Sequence, residues 1–167
     1  MIKTCGTASS LFADATLALR TLPSRRDGLE ALFLFAVFAV FAILMRAGSG
    51  PITFSWTSDW TGFLMTALAA MVIPALGEEM VFRVLLAGRA GFVRGALALF
   101  AFVLWHPLQV WIGLPFAQPV FLDPAFLATA AALGLACTIS WRRSGSLWPA
   151  VAMHWAVVVV WKGMAGG

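Results

Sequence analysis

Residues 71–88 read MVIPALGEEMVFRVLLAG, an almost uniformly apolar run that nevertheless carries Glu78, Glu79 and Arg83. Solubility and surface packing give no reason for two adjacent carboxylates there. An ionisable side chain at the centre of a membrane helix costs about 2.5–3.5 kcal/mol on insertion scales, and where one is kept it marks a functional site. The rest of the chain makes the membrane setting compelling. It is 62% hydrophobic and only 11% charged over 167 residues, and its mean hydropathy is +0.94. These values lie far outside the range of soluble domains and predict an all-α, multi-spanning transmembrane helix bundle.

Five apolar spans account for the sequence: 29–45, 63–87, 95–112, 121–139 and 148–161. RAGSGP at 46–51 breaks the first. Asp123 followed by Pro124 suits a helix start, and Ser146 can cap the last span with Pro149 in its first turn. The domain organisation expected is an N-terminal segment, 1–28, and a transmembrane domain, 29–167. The segment 11–22 can form a short interfacial helix. Asp14, Arg20, Arg25 and Arg26 interrupt residues 1–28, which argues against a cleaved signal peptide. Lys3, Arg20, Arg25 and Arg26 precede span 1, Arg89 and Arg94 follow span 2, and Arg142 and Arg143 follow span 4. By the positive-inside rule the N-terminus is then cytoplasmic and the C-terminus outside, with Lys162 snorkelling against the trend. A multi-pass protein of the inner (cytoplasmic) cell membrane is expected, with the lipid bilayer as its surroundings.

The formal charge of +4 does not signal nucleic-acid binding, because the basic residues form short clusters between apolar runs. Cys5 and Cys137 lack metal-ligand spacing and make no disulfide framework. Trp56, Trp60, Trp111, Trp141, Trp148 and Trp161 sit near span ends as interfacial anchors. Trp105 and Trp155 adjoin the two histidines, where lipid contact or packing is the first reading and pocket shaping the second.

Three polar positions fall at similar depth. Glu78 lies eleven residues before Arg89, and His106 twelve after Arg94. These separations correspond to about 16 and 18 Å of helix. His154 lies twelve residues beyond Arg142 and eight beyond Ser146, or about 18 and 12 Å by the same rise. In a hydrocarbon core of about 30 Å, all three are near the middle. His106 and His154 are the only histidines. Glu79 and Arg83 are four residues apart and can pair on one helix face. Glu78 points about 100° away, toward the side of Phe82. Pro74 and Pro107 should kink or partly unwind their spans beside Glu78 and His106.

These residues resemble the motifs of the CAAX-protease and bacteriocin-processing family, also called Abi, of glutamic-type intramembrane proteases. EEMVFR at 78–83 is similar to the family's Glu-Glu-x-x-x-Arg, FVLWH at 102–106 to Phe-x-x-x-His, and His154 to the histidine of a late helix. The resemblance covers residues 70–160. It implies hydrolysis of a peptide bond in a membrane-anchored protein or peptide, without a covalent intermediate and with no cofactor. Glu78 and His106 would activate water, Glu79 and Arg83 would order the site, and His154 would help bind the oxyanion. The family often has Asn or Asp four residues after the last histidine, where this chain has Val158. Substrates in the family include prenylated C-termini, sorting tags and bacteriocin-type peptides.

Three other readings stand beside this one. Two histidines and a glutamate can hold zinc, although no His-Glu-x-x-His helix is present. Cys137 could act as a thiol nucleophile, but it lies shallower than the acids and reads as packing. The buried polar residues could also simply hold a non-enzymatic bundle together.

Overall fold

The computed structural model describes residues 8–48, 57–115 and 117–164. Lys3, Cys5, the 49–51 part of the predicted break and Trp56 lie outside them. Among the described residues every regular element is helical: α1 (Ala8–Arg20), α2 (Arg25–Gly48), α3 (Trp60–Ala87), α4 (Phe92–Trp111), α5 (Pro124–Ser144) and α6 (Trp148–Met164). A short 3-10 turn, Pro119–Leu122, precedes α5. The helices α2, α3, α4 and α5 are each long and apolar enough to cross a membrane. The last helix, α6, has 17 residues, about 26 Å of rise. Leu32, Val40, Leu44, Leu68, Val72 and Phe100 are all exposed. Such an apolar exterior is costly in water but is the expected surface against lipid. The chain is a multi-pass membrane protein.

Helix ends obey the capping chemistry. The Asp123 carboxylate accepts from the backbone N–H groups of Ala125 at 2.7 Å and Phe126 at 3.2 Å, and Pro124 occupies the first turn. Asp59 caps α3 through Gly62 N–H at 2.9 Å. Ser146 lies just before α6, its hydroxyl accepting from Trp148 N–H at 3.4 Å. Two glycines close helices at positive φ, Gly88 at 57° and Gly145 at 70°, a conformation a Cβ disfavours.

One end of the bundle is tied by arginines. The last carbonyls of a helix have no internal partner and carry its negative dipole end. Arg94 donates to the carbonyls of Leu85 at 2.7 Å and Leu86 at 2.6 Å. Arg142 donates to Ala87, Gly88 and Gly91, and Arg143 pairs with Glu30. Here α1 docks as well: Ala18 is buried against Val84, Trp141, Leu147 and Val151, and Trp148 donates to the Leu19 carbonyl. Trp141 is therefore a core residue, only 4% exposed, and not the interfacial anchor its position predicts.

The two prolines, both expected to kink or partly unwind their spans, behave differently from each other. Pro107 does not unwind α4, which stays α-helical from Phe92 to Trp111. Pro74 lies where α3 leaves the α-helical winding of Trp60–Ala70 for the wider π-helical winding of Met71–Glu78 and Met80–Ala87. A proline lacks the N–H of the regular ladder, and π-helical turns cluster at functional sites. Farther along, Gly134 lets α5 approach α4 closely, since a Cβ there would meet Leu99 and Phe102. Phe102 is fully buried by this approach.

Replacing Asp123 with Ala should cost about 1 kcal/mol through loss of the α5 cap. The effect is read as a lower midpoint in thermal unfolding of detergent-purified protein, with Asp123→Asn retaining most of the stability.

Candidate active site

The wide turns of α3 put Glu78 and Glu79 on different sides of the helix, and their surroundings differ accordingly. Glu79 is fully buried, as is Arg83. Arg83 Nε donates to Glu79 Oε2 at 2.8 Å and Nη2 donates to Oε1 at 3.3 Å. This is the two-point fork that fits guanidinium to carboxylate. The guanidinium carbon lies 4.4 Å from the centre of the Phe102 ring, a cation–π contact. Glu79 Oε1 is also 2.9 Å from His154 Nδ1. A carboxylate only accepts, so Nδ1 carries the hydrogen, and the ring is oriented as a carboxylate orients imidazole in a hydrolase triad.

Glu78 is held more loosely. Trp105 Nε1 donates to its Oε1 at 3.1 Å. Its Oε2 is buried without a hydrogen-bond partner, 4.0 Å from His154 Nε2. Trp105 thus shapes the site and is not a lipid contact alone. Trp155 does the packing that was expected, donating to the Ala67 carbonyl at 2.8 Å and tying α6 to α3.

His106 is 7% exposed. Its Nδ1 lies 3.0 Å from the Phe102 carbonyl oxygen. That oxygen can only accept, so Nδ1 bears the hydrogen and Nε2 is left with its lone pair. Phe102, Phe121 and Phe126 meet the imidazole edge-on, with ring centres 5.1–5.4 Å away. They leave it little freedom to turn.

Glu78, His106 and His154 all line one cavity of about 1090 Å³, just above the range usual for ligand sites, about 300–1,000 Å³. Its wall is otherwise mainly apolar and aromatic. Glu79 and Arg83 stand behind that wall and do not line the cavity; Glu79 touches His154, and Arg83 touches Glu79. Val158 faces the cavity, and its side chain offers no hydrogen bond. Gln109 is the polar residue that the motif reading misses. It lines the cavity one turn beyond His106, is 7% exposed, and its amide has no hydrogen-bond partner among the described residues. A second polar side chain beside His106 in an otherwise apolar run is its visible signal. Cys137 is fully buried among Ala31, Phe38, Leu133, Ala150 and Met153, outside the cavity. Among the described residues no three of His, Cys, Asp and Glu are grouped so as to hold a metal ion.

The two glutamates should separate in a stability measurement. Removing the carboxylate in Glu79→Ala strands a buried guanidinium and should cost about 3–5 kcal/mol. Glu78→Gln should leave thermal stability near that of the parent protein. Equal losses in the two variants would contradict the division of roles.

A family model, described as Rce1-like, type II CAAX prenyl endopeptidase Rce1-like, matches residues 59–160. No curated protein and no solved structure is significantly similar to the chain.

Proposed function

The chain belongs to the Rce1-like family of type II CAAX prenyl endopeptidases, and from that premise we propose that it is a glutamic-type intramembrane endopeptidase. Its substrate is a membrane-anchored protein or peptide, cut by water that Glu78 and His106 activate. The observation that carries this reading is the pairing of unengaged bases in one cavity: Glu78 Oε2 has no partner, and His106 Nε2 keeps its lone pair.

The chemistry follows from these atoms. A carboxylate and a neutral imidazole are both competent general bases. Water gives up a proton to this pair as its oxygen bonds to the scissile carbonyl carbon, and negative charge develops on the carbonyl oxygen. His154, its ring fixed by Glu79, turns Nε2 toward the cavity and in its protonated form donates to that oxygen. The Gln109 amide supplies a second donor, a role Val158 cannot fill. Donors fixed in a dry site stabilise such charge far more than they would in water. When the C–N bond breaks, the proton taken from water passes to the leaving amine. No acyl-enzyme forms, because neither base is bonded to the carbonyl carbon.

Arg83 contributes at one remove. It neutralises Glu79, which in turn sets the His154 ring. The apolar wall suits substrates whose residues around the cleaved bond are apolar or lipid-modified. Irregular backbone at this depth is tolerated only where protein surrounds it, so the cavity is also where a substrate helix can unwind.

In a processing assay with wild-type enzyme and candidate membrane-anchored tails, Glu78→Gln and His106→Ala should each lower turnover by about 10²–10⁴-fold, the usual contribution of a general base. Gln109→Leu should lower kcat more than it raises KM, and Gln109→Asn should recover part of the loss. Full activity in Glu78→Gln, or activity lost on chelation and restored by zinc, would overturn the water-activation scheme.

A further inference from the structure

The two oxygens of Glu78 are in different states. Oε1 accepts from Trp105 Nε1 at 3.1 Å, a bond that joins α3 to a residue 27 positions further along, on α4. Oε2 has no partner and lies 4.0 Å from His154 Nε2, beyond hydrogen-bond range. Trp105 lines the cavity and packs against the cluster of Phe82, Phe102 and Ala130. Its N–H is therefore presented by a seated ring.

An indole is a particular kind of tether. It donates one hydrogen, accepts none and carries no charge. It can hold a carboxylate without taking up the second oxygen and without competing for a proton drawn from water. An arginine in its place would fork to both oxygens, as Arg83 does on Glu79, and leave no free base.

The gap between Glu78 and His154 is what the tether protects. Glu79 fixes the His154 ring through Nδ1 at 2.9 Å, so the gap depends on where Glu78 stands. An approach of about 1 Å would turn it into a hydrogen bond. That bond would engage the free oxygen of the base and the Nε2 hydrogen of the oxyanion donor together. Resting on the endopeptidase reading above, we propose that Trp105 is a positioning residue whose indole N–H anchors Glu78 Oε1 and keeps the carboxylate off His154. Trp105 directly precedes His106. The helix α4 thus places both bases, one as its own imidazole and the other through the indole.

The test separates the N–H from the ring. Trp105→Phe keeps an aromatic side chain and removes the donor. Trp105→benzothienylalanine, introduced by codon suppression, keeps the indole shape as well, with sulfur in place of the N–H. In the processing assay both should lower kcat by about 10–10²-fold, the scale of a misplacement of about 1 Å, with KM near the wild-type value. The benzothienylalanine protein should keep the wild-type thermal midpoint. The loss should disappear in a Glu78→Gln background, where no carboxylate base is left to position. Full kcat in the benzothienylalanine protein overturns the proposal, and so does an equal loss with and without Glu78→Gln, which would make Trp105 a packing residue. Infrared spectra supply a readout that does not need cleavage. In protein carrying isotope-labelled glutamate, the carboxyl band that Glu78→Gln deletes should move when the indole N–H is removed. An unmoved band overturns the proposal whatever the activity. A moved band in a protein whose wild type cleaves nothing would defeat the endopeptidase reading and leave the anchor standing.

Discussion

The ion pair between Arg83 and Glu79 is the constraint on which the rest of the site depends. Two charges with no exposure must satisfy each other almost completely, because the cost of leaving either alone in a low-dielectric interior is several kcal/mol. The fork geometry meets that demand for the carboxylate, and the Phe102 face helps hold the guanidinium. The charge balance then leaves one carboxylate oxygen able to accept from His154 as well. Placing the imidazole of α6 is thus a by-product of burying a charge on α3. Phe102 links this to α4, since the same ring that faces Arg83 packs edge-on against both histidines.

Glu78 stands in the opposite condition. It has one donor, Trp105, and one oxygen with none. A buried acceptor without a partner is destabilising by about 1–3 kcal/mol; Arg83 Nη1 and Trp141 Nε1 are also buried without one, but of these three residues only Glu78 lines the cavity. The difference between adjacent glutamates is therefore a difference between a satisfied group and a poised one. Strain of this kind persists where surrounding packing holds it in place. Here the Trp105 indole and the wide π-helical winding of α3 fix where Glu78 stands.

Much of this was legible in the sequence, for physical reasons that can be named. The spans follow from length and apolarity alone, and the Asp123–Pro124 start from capping chemistry. The Glu79–Arg83 pair follows from i,i+4 spacing, which survives the change of winding. That α4 keeps its α-helical winding through Pro107 was not legible, because packing against neighbouring helices decides whether such a turn unwinds and the sequence does not say which neighbours are there. The sequence left Trp105 open between lipid contact and pocket shaping for a related reason: an indole beside a histidine faces lipid or cavity according to helix rotation, which only the packed bundle sets. Gln109 belongs to no motif; what distinguishes it is its place in the cavity wall one turn beyond His106.

The position of the cavity follows from the way α3 is shared between its neighbours. Its 80–87 turns are bound to α4, with Arg94 and Arg142 capping their last carbonyls. Its 60–78 turns lean on α6, where Trp155 reaches the Ala67 carbonyl. A helix held by one neighbour at its foot and another at its head must leave a wedge between them. Glu78 lies at the apex of that wedge, where α3 changes partners. The arginines therefore close one end of the bundle, and the divergence they impose opens the other. A site built at such an apex gives water and an unwinding peptide room on one side only, and that side is set by the same charges that orient the chain in the membrane.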